Sequence, residues 1–232
     1  AALNDTTFQD EREMMHGNLD DSKKLFDEAR ARGAKHIVYA SSTAVYGNAP
    51  PPYREDQPLT PLNPYGRSKA ALDEFAMGFA QKNPDITVVG LRYCNVYGPG
   101  EAHKGKRASM VYQLARQMLT GNPRLFRAGE QKRDYIYVKD VVRANMLALK
   151  AKKSGVVNCG SGVAVSFNEV VELLNGAMGT KRTPEYFENT NPAQYQSHTL
   201  CDITRAKELL DFIPEYDIRH GIKDYVRNGL LS

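Results

Sequence analysis

Cysteines are scarce in this sequence, with three among 232 residues. They lie at positions 94, 159 and 201, far from one another and without a Cys-x-x-Cys pair. The sequence therefore predicts neither a disulfide framework nor a zinc site. The five histidines also lack the spacing of metal ligands. We expect three plain buried cysteines and no metal.

Long apolar runs are absent as well. No stretch approaches the roughly 20 residues that a membrane-spanning helix needs, and no signal-peptide pattern opens the chain. A block of one charge sign is also missing, since the 31 basic residues are spread along the chain and the net charge is +4. These absences predict a cytoplasmic protein without a membrane or nucleic-acid partner.

The pattern of apolar and polar residues indicates an α/β fold. The chain is 41% hydrophobic and 25% charged, as in a globular protein of one large domain or two interleaved lobes. A helix at residues 15–33 leads into a strand at 36–42. A second helix at 64–82 leads into a strand at 86–97. Because both strands are apolar along nearly their whole length, we expect a parallel sheet covered on both faces.

The rest of the chain continues this alternation. In a helix at residues 139–150 we expect Val141, Val142, Met146 and Leu149 to face the core. The other helices and short strands are predicted at residues 107–121, 125–127, 133–138, 156–159, 166–178, 185–187, 202–211 and 218–231.

A Ser-Ser strand end and a Tyr-x-x-x-Lys helix carry the chemistry. Tyr65 and Lys69 are four residues apart and therefore share one face of the helix that begins at Asn63-Pro64. An ammonium group near a phenol favours the phenolate and lowers its usual pKa of about 10. Such a tyrosine can accept or donate a proton, and Ser42 would give a second hydrogen bond to a substrate oxygen.

The Tyr-x-x-x-Lys motif alone is a weak indication of a catalytic pair, because a packed tyrosine beside a solvated lysine gives the same pattern. Two features favour the catalytic interpretation. The pair follows a strand that ends in Ser41-Ser42, and the loop between them carries Tyr46-Gly47 and a proline tract at residues 50–52.

A glycine pair at Gly160 and Gly162 follows a predicted strand and invites comparison with a dinucleotide-binding loop. Val165 occupies the place where the third glycine is needed, and no acidic residue follows at the required distance. We interpret this stretch as a tight strand-to-helix turn.

Three segments together resemble the extended short-chain dehydrogenase/reductases, which include nucleotide-sugar epimerases and dehydratases. They are the Ser/Tyr/Lys set, the Arg-Tyr-Cys-Asn-Val-Tyr-Gly-Pro block at residues 92–99 and the Arg-Asp-Tyr-Ile-Tyr-Val-Lys-Asp-Val block at 133–141. The resemblance implies a Rossmann-like parallel sheet with a smaller α/β substrate-binding lobe. It also implies that Ser42 orients the substrate, Tyr65 is the acid/base, and Lys69 tunes the tyrosine and holds the nicotinamide ribose.

On this resemblance the chain divides into two parts. Residues 1–98 would be the remaining, C-terminal part of a dinucleotide-binding domain. Residues 99–232 would be mainly the substrate-binding lobe, with 134–165 returning to the Rossmann-like sheet.

The segment Glu-Ala-His-Lys-Gly-Lys-Arg-Ala-Ser at residues 101–109 is similar to that of the ADP-glycero-manno-heptose 6-epimerases. The similarity implies NADP-dependent oxidation and re-reduction that inverts C6 of the heptose in an ADP-sugar, for lipopolysaccharide inner-core precursor synthesis. It implies a second acid/base, Lys104, that faces Tyr65 across the sugar. A solvated loop lysine that binds phosphate is the alternative for Lys104.

The same resemblance assigns binding residues and a homo-oligomeric state. Arg133 suits a diphosphate because its guanidinium can bind it bidentately. Lys106 and Gln113 replace a small residue and a histidine of the family, so they depart from its pattern. The cofactor would contact Asn18, Lys69, Val96 and Lys104; the ADP-sugar would contact Asn95, Lys106, Gln113, Phe126, Arg133 and Tyr195.

One departure from the family is large. Its members begin with a strand and a Gly-x-x-Gly-x-x-Gly loop that holds the cofactor pyrophosphate, and nothing in this sequence corresponds to that loop. The sequence is therefore expected to be a piece of a longer protein or a truncated form. Residues 1–232 alone should bind NADP only weakly.

Other functions remain open. An epimerase of another nucleotide sugar, such as UDP-galactose 4-epimerase, would share Ser42, Tyr65 and Lys69 without needing residues 103–105. A 4,6-dehydratase is disfavoured, because Thr43-Ala44 stand where that class has an acidic pair. A cofactor-free binding module is the third possibility.

Overall fold

The structure is a computed structural model that describes residues 8–188 and 197–230. The chain divides into two compact units. Unit 1 comprises Ala1–Tyr93, Arg143–Cys159 and Asp202–Ile213, and unit 2 comprises Cys94–Val142, Gly160–Cys201 and Pro214–Ser232. Among the described residues, no helix combines the length and the apolar character that a bilayer crossing requires.

Helices and strands alternate along the chain, as the sequence predicts. The helices within the described residues are α1 Glu11–Met15, α2 Asp21–Ala31, α3 Pro64–Lys82, α4 Met110–Thr120, α5 Val138–Ala148, α6 Phe167–Met178, α7 Thr204–Leu210 and α8 Ile218–Arg227. The strands are β1 His36–Ser42, β2 Thr87–Tyr93, β3 Asn95–Tyr97, β4 Arg124–Phe126, β5 Lys132–Tyr137, β6 Gly155–Cys159, β7 Ala164–Ser166 and β8 Glu185–Phe187. A π-helical turn, His16–Asp20, joins α1 to α2.

Unit 1 is built on a parallel sheet in the order β1-β2-β6. The central strand β2 is buried on both faces, and its Val88, Val89 and Leu91 are fully buried, which explains its apolar sequence. Ser42 at the end of β1 lies opposite Tyr93 at the end of β2. The predicted α/β class with a parallel, Rossmann-like sheet is confirmed.

The strand predicted at residues 86–97 is two strands. β2 pairs with β1 and β6 as far as Tyr93, whereas β3, which starts at Asn95, pairs with β5 of unit 2. Apolar residues continue into the second strand, where Val96 is half-buried and Tyr97 is buried, although Asn95 is exposed. Hydrophobicity therefore could not reveal the break at Cys94.

The helix that carries the Tyr-x-x-x-Lys pair begins as its sequence dictates. The Asn63 side chain accepts a hydrogen bond from the Gly66 amide at 2.8 Å, and Pro64 occupies the first turn, where its missing N–H costs nothing. Leu72 and Phe79 of α3 pack with Phe26 of α2 in one buried cluster. This packing fixes α3 along the sheet of unit 1.

Helix α5 is rotated relative to the prediction. Val142, Met146 and Leu149 were expected to face the core, but they are 58%, 53% and 46% exposed. The buried stripe instead contains Ala144 and Ala148, each 1% exposed. The helix is therefore buried through its small side chains, and the larger apolar residues lie on its exposed face.

Unit 2 contains two small sheets. β3 and β5 are parallel, and β5 and β7 are antiparallel. β4 pairs with β8 in parallel. Side chains of α4, α6 and α8 form one buried cluster with this unit's strands, including Leu114, Phe167 and Tyr225.

Candidate active site

The end of β1 and the first turns of α3 bring Ser42, Tyr65 and Lys69 together in unit 1. The Ser42 hydroxyl lies next to the Tyr65 side chain, close enough to affect the pKa of the phenol. Ser42 Oγ also accepts the Ala44 amide at 3.2 Å and so caps the short 3-10 helix Thr43–Tyr46. The serine side chain is thereby held in one orientation toward the tyrosine.

A glycine allows this close approach. A side-chain carbon at Gly66 would lie 2.7 Å from the Ala44 carbonyl oxygen and 2.9 Å from Cβ of Pro61. Because real contacts are not that short, any larger residue would push the start of α3 away from the end of β1. Gly66 therefore keeps Tyr65 within hydrogen-bonding distance of Ser42.

Lys69 is buried next to the tyrosine. The residue is 4% exposed, and its Nζ donates to the Ala40 carbonyl at 2.8 Å. Nζ lies 5.9 Å from the centre of the Tyr65 ring. Burial lowers the pKa of Lys69, and the Asp73 carboxylate one turn along α3 opposes that shift.

We expected Lys69 to lower the pKa of Tyr65, but in the protein without cofactor this pKa is raised. Burial raises the pKa of Tyr65, and the hydrogen bond from Ser42 opposes the rise. The Lys69 ammonium was expected to lower this pKa, but it is directed to the backbone carbonyl of Ala40 rather than to the phenol oxygen.

A buried polar network lies behind this site in unit 1. The Asp73 carboxylate accepts Nε of Arg92 at 2.8 Å and the Tyr39 hydroxyl at 3.0 Å. Arg92 also donates to the Tyr46 hydroxyl at 2.8 Å, which in turn donates to Asn158 at 2.7 Å. The network ties α3 to all three strands and to the loop after β1. No local pattern in the sequence indicates this network.

Asn18, predicted to touch the cofactor, supports the start of α3. It is 1% exposed, and its amide donates to Ser68 Oγ at 3.0 Å. Ser68 Oγ donates to the Tyr65 carbonyl at 2.8 Å. Asn18 is thus linked through Ser68 to the backbone of the proposed acid/base.

The other predicted site residues belong to unit 2. Lys104 is half-buried in the 3-10 helix Ala102–Arg107, and Lys106 in the same helix is exposed. The Gln113 amide donates to the Lys106 and Ala108 carbonyls at 3.1 and 2.7 Å. From the first turn of α4, Gln113 therefore holds the end of the 3-10 helix Ala102–Arg107 in place.

The predicted substrate residues on the strands have partners in unit 2. Asn95 is exposed and accepts a hydrogen bond from Thr199 at 3.2 Å, and Val96 next to it is half-buried. The Arg133 guanidinium lies 5.6 Å from the centre of the Phe167 ring. The Phe126 ring lies 6.5 Å from the same ring. Tyr195 is outside the described residues.

The expectation of three plain cysteines was also wrong. Cys94 and Cys201 form a disulfide across 107 positions, and Cys159 is a free buried thiol. Only the fold brings the first two together, so their spacing in the sequence gave no signal.

The two sulphurs lie beside Asp134, so these three side chains place possible metal ligands within 4.8 Å of one another. The carboxylate is already satisfied. One oxygen accepts the amide and hydroxyl of Ser161 at 2.7 Å each, and the other accepts the amides of Gly162 and Cys201 at 3.1 Å each. The disulfide and these four donors account for the cluster without a cation.

Residues 160–162 form a turn, but it joins β6 to β7 rather than a strand directly to a helix as predicted. Its amide groups bind the Asp134 carboxylate, so they are not available to a cofactor phosphate. The Lys69 end of the site does fit the nicotinamide ribose of NAD or NADP. Among the described residues Lys69 Nζ donates a single hydrogen bond, and an ammonium group has three N–H donors, which leaves two for hydroxyl oxygens.

Comparison with known sequences relates the chain to one family. The sequence profile of the NAD dependent epimerase/dehydratase family matches residues 1–160. An ADP-L-glycero-D-manno-heptose-6-epimerase from Alkalilimnicola ehrlichii is 36% identical, over 97% of this chain and 72% of its own length.

Solved structures share the fold. The chain matches ADP-L-glycero-D-manno-heptose-6-epimerase from Helicobacter pylori with a TM-score of 0.89 at 40% identity, over 98% of this chain and 69% of the other. It matches UDP-N-acetylglucosamine 4-epimerase from Methanobrevibacter ruminantium M1, in complex with UDP-N-acetylmuramic acid, with a TM-score of 0.90 at 28% identity. That match covers 98% of this chain and 74% of the epimerase.

Proposed function

The chain belongs to the NAD dependent epimerase/dehydratase family, and from this premise we propose that it is an isomerase that inverts C6 of the heptose in ADP-glycero-manno-heptose. The placement of the Ser42 hydroxyl next to Tyr65, with a buried Lys69 beside them, is the observation that carries the proposal. It places a proton donor and acceptor next to a cation that can bind ribose. NADP is the proposed cofactor, and it would supply the hydride acceptor and donor for C6.

Tyr65 handles the proton on one side of the sugar. Burial raises the pKa of Tyr65, so its hydroxyl is protonated in the resting protein and can donate to a developing alkoxide. The Ser42 hydrogen bond, which lowers that pKa, helps the reverse step, in which the tyrosine accepts the C6 hydroxyl proton. Ser42 would also orient that hydroxyl.

Lys104 is proposed as the acid/base on the other side of the sugar. Inversion requires that hydride reach opposite faces of the C6 carbonyl carbon. If the C6 oxygen then points to a different side of the site in each epimer, a second acid/base is needed for the position that Tyr65 does not reach. The Lys104 side chain has no hydrogen bond or ion pair among the described residues, which leaves its amine available for a substrate.

The remaining predicted residues would bind the ADP-sugar and the cofactor. Arg133 is proposed to bind the diphosphate, with Asn95, Lys106, Gln113, Phe126 and Tyr195 lining the rest of the substrate site. Asn18 and Val96 are proposed cofactor contacts. A cytoplasmic homo-oligomer that serves lipopolysaccharide inner-core synthesis completes the proposal, and it rests on the resemblance of residues 101–109.

A UDP-sugar 4-epimerase is the second candidate. The structural match to UDP-N-acetylglucosamine 4-epimerase supports it, because that fold also covers 98% of this chain. The two candidate functions differ in their use of residues 103–105. Only the heptose reaction is proposed to need this segment.

The test supplies the chain with NADP well above micromolar concentration and either ADP-glycero-manno-heptose or UDP-galactose. We expect inversion of the heptose alone, followed by NMR of the sugar protons. A Lys104→Ala variant should lose the activity, whereas Lys152→Ala, which removes an exposed lysine outside the proposed site, should keep it. Inversion of UDP-galactose alone would replace the first candidate with the second.

A further inference from the structure

The segment between β3 and α4 is closed by one buried carboxylate. Glu101 is 4% exposed. One of its oxygens accepts the Gly98 amide at 3.2 Å and the Ser109 hydroxyl at 2.8 Å, and the other accepts the Ser109 amide at 2.6 Å. The first donor follows β3 directly and the last two come from the residue that caps α4. Residues 98–109 therefore form a ring, called here the 98–109 ring.

Two further elements of unit 2 hold the ring. Tyr225 of α8 is 1% exposed, and burial together with the neighbouring Glu101 carboxylate raises the pKa of its hydroxyl. Ser109 Oγ accepts the Tyr112 amide at 3.2 Å and so begins α4. The carboxylate is thus the point at which β3, α4 and α8 are connected.

Inside the ring the backbone is fixed around Lys104. Its amide donates to the Glu101 carbonyl at 2.9 Å, and the Ala108 amide donates to the Gly105 carbonyl at 3.1 Å. Gly105 has a φ of 55°, a left-handed conformation that favours glycine. The Lys104 side chain makes no hydrogen bond or ion pair with the described residues. The ring therefore fixes the backbone of Lys104 and leaves its amine free.

We propose that Glu101 is a positioning residue, which sets the place of the Lys104 amine by closing the 98–109 ring. This inference rests on the proposed function, in which Lys104 is an acid/base. Proton transfer needs the amine within about 3 Å of the substrate oxygen. A misplacement of about 1 Å can reduce turnover about 100-fold, so the ring must be closed for Lys104 to act.

The test variant is Glu101→Gln, which keeps the shape of the side chain. Its amide group replaces one oxygen with an NH₂ that cannot accept the amides or hydroxyls now bound there. Asp140→Asn is the matched control. Asp140 is 1% exposed, and its two oxygens accept the amides of Glu215 and Tyr216 at 2.9 and 3.0 Å, so the same chemistry is removed outside the ring.

The first measurement needs no cofactor or substrate. Amide hydrogen exchange of the full chain should show residues 98–109 exchanging about 10- to 100-fold faster in Glu101→Gln, because hydrogen bonds to a charged group are lost. In Asp140→Asn this segment should exchange as in the parent protein. Unchanged exchange of the 98–109 segment in Glu101→Gln would overturn the proposal.

The second measurement separates positioning from general damage. With two acid/bases, each C6 epimer gives up its hydroxyl proton to a different group, so the oxidation step from each epimer is followed separately by absorbance at 340 nm. Glu101→Gln should slow the step from one epimer by about 10- to 100-fold and the other by less than about 3-fold. Equal slowing from both epimers would show a merely structural role and overturn the proposal.

Lys104→Ala distinguishes this inference from the proposed function. Lys104→Ala should slow the oxidation of the same epimer as Glu101→Gln does, whereas amide hydrogen exchange of residues 98–109 should stay nearly unchanged. Near-normal rates from both epimers would contradict the role of Lys104 and with it the positioning role of Glu101. The exchange result would then still show whether Glu101 closes the ring.

Discussion

Replacing Asp73 with asparagine should destabilise the protein strongly, because it leaves a guanidinium buried without its counter-ion. The Asp73 and Arg92 side chains are each 5% exposed, and the charged atoms are 2.8 Å apart. Breaking a buried pair by removing one partner costs about 3 to 5 kcal/mol. The Tyr39 hydroxyl, which donates to the same carboxylate at 3.0 Å, adds to the disruption.

The assay is urea denaturation followed by circular dichroism. With a urea slope of about 2 to 3 kcal/mol per molar, a loss of about 3 to 5 kcal/mol moves the midpoint down by about 1 to 2.5 M. The double variant Asp73→Leu with Arg92→Met removes both charges and should recover most of the loss, since apolar replacement of a buried pair is often neutral.

The control for Asp73 is an exposed ion pair. Glu11 binds Arg67 through two hydrogen bonds of 2.7 and 3.0 Å, but these side chains are 52% and 41% exposed. Glu11→Gln should leave the midpoint close to that of the parent protein, because water screens the pair. A loss of stability below about 1 kcal/mol for Asp73→Asn would contradict this prediction, since surface ion pairs lie in that range.

Three further predictions concern the start of α3. Tyr65→Phe should lower turnover by about 10²- to 10⁴-fold, the usual contribution of a general acid/base, with little change in ADP-sugar affinity measured by calorimetry. Because burial raises the pKa of Tyr65, its ionisation should lie above pH 10 in the protein without cofactor. A difference titration at 295 nm against Tyr65→Phe tests this, and ionisation below pH 9 would contradict it. Gly66→Ala should cost about 1 to 3 kcal/mol in urea denaturation because of its contact with Ala44. Gly78→Ala in the same helix, with nothing within 4 Å of the added carbon, should cost nothing; equal losses would show that the contact is unimportant.

Local signals were sufficient where a residue acts through its neighbours in the sequence. Asn63-Pro64 marks the start of α3, and the apolar run at residues 36–42 is β1. The spacing of Tyr65 and Lys69 placed both on one face of that helix. Ser42 could be added because a parallel strand and its following helix meet at the carboxyl end of the sheet.

Long-range contacts were beyond local patterns. The pairing of Cys94 with Cys201 depends on the folding of unit 2. The position of the Glu101 carboxylate next to Ser109 and Tyr225 depends on it as well. A lone glutamate before His103 gave no sign that it closes a ring. The orientation of α5 was predicted wrongly because the hydrophobic pattern favours burial of the larger apolar side chains. The buried stripe of this helix instead contains Ala144 and Ala148.

The pKa of Tyr65 shows a second limit. The spacing gave the proximity of Lys69 correctly but not the competing effects of burial and of the Ala40 carbonyl, which takes the ammonium as a hydrogen-bond donor. Which effect dominates depends on how deeply the tyrosine is buried in the folded protein. A local sequence pattern gives this burial only indirectly.

The most direct test of the proposed function uses ADP-glycero-manno-heptose labelled with deuterium at C6, with the chain and a high concentration of NADP. We expect C6 to be inverted and the deuterium to remain at C6 of the product, because the atom removed in oxidation is the one returned. NMR and mass spectrometry measure both quantities in one sample. Inversion with loss of the label to solvent, or a label retained without inversion while UDP-galactose is epimerised, would contradict the proposed function.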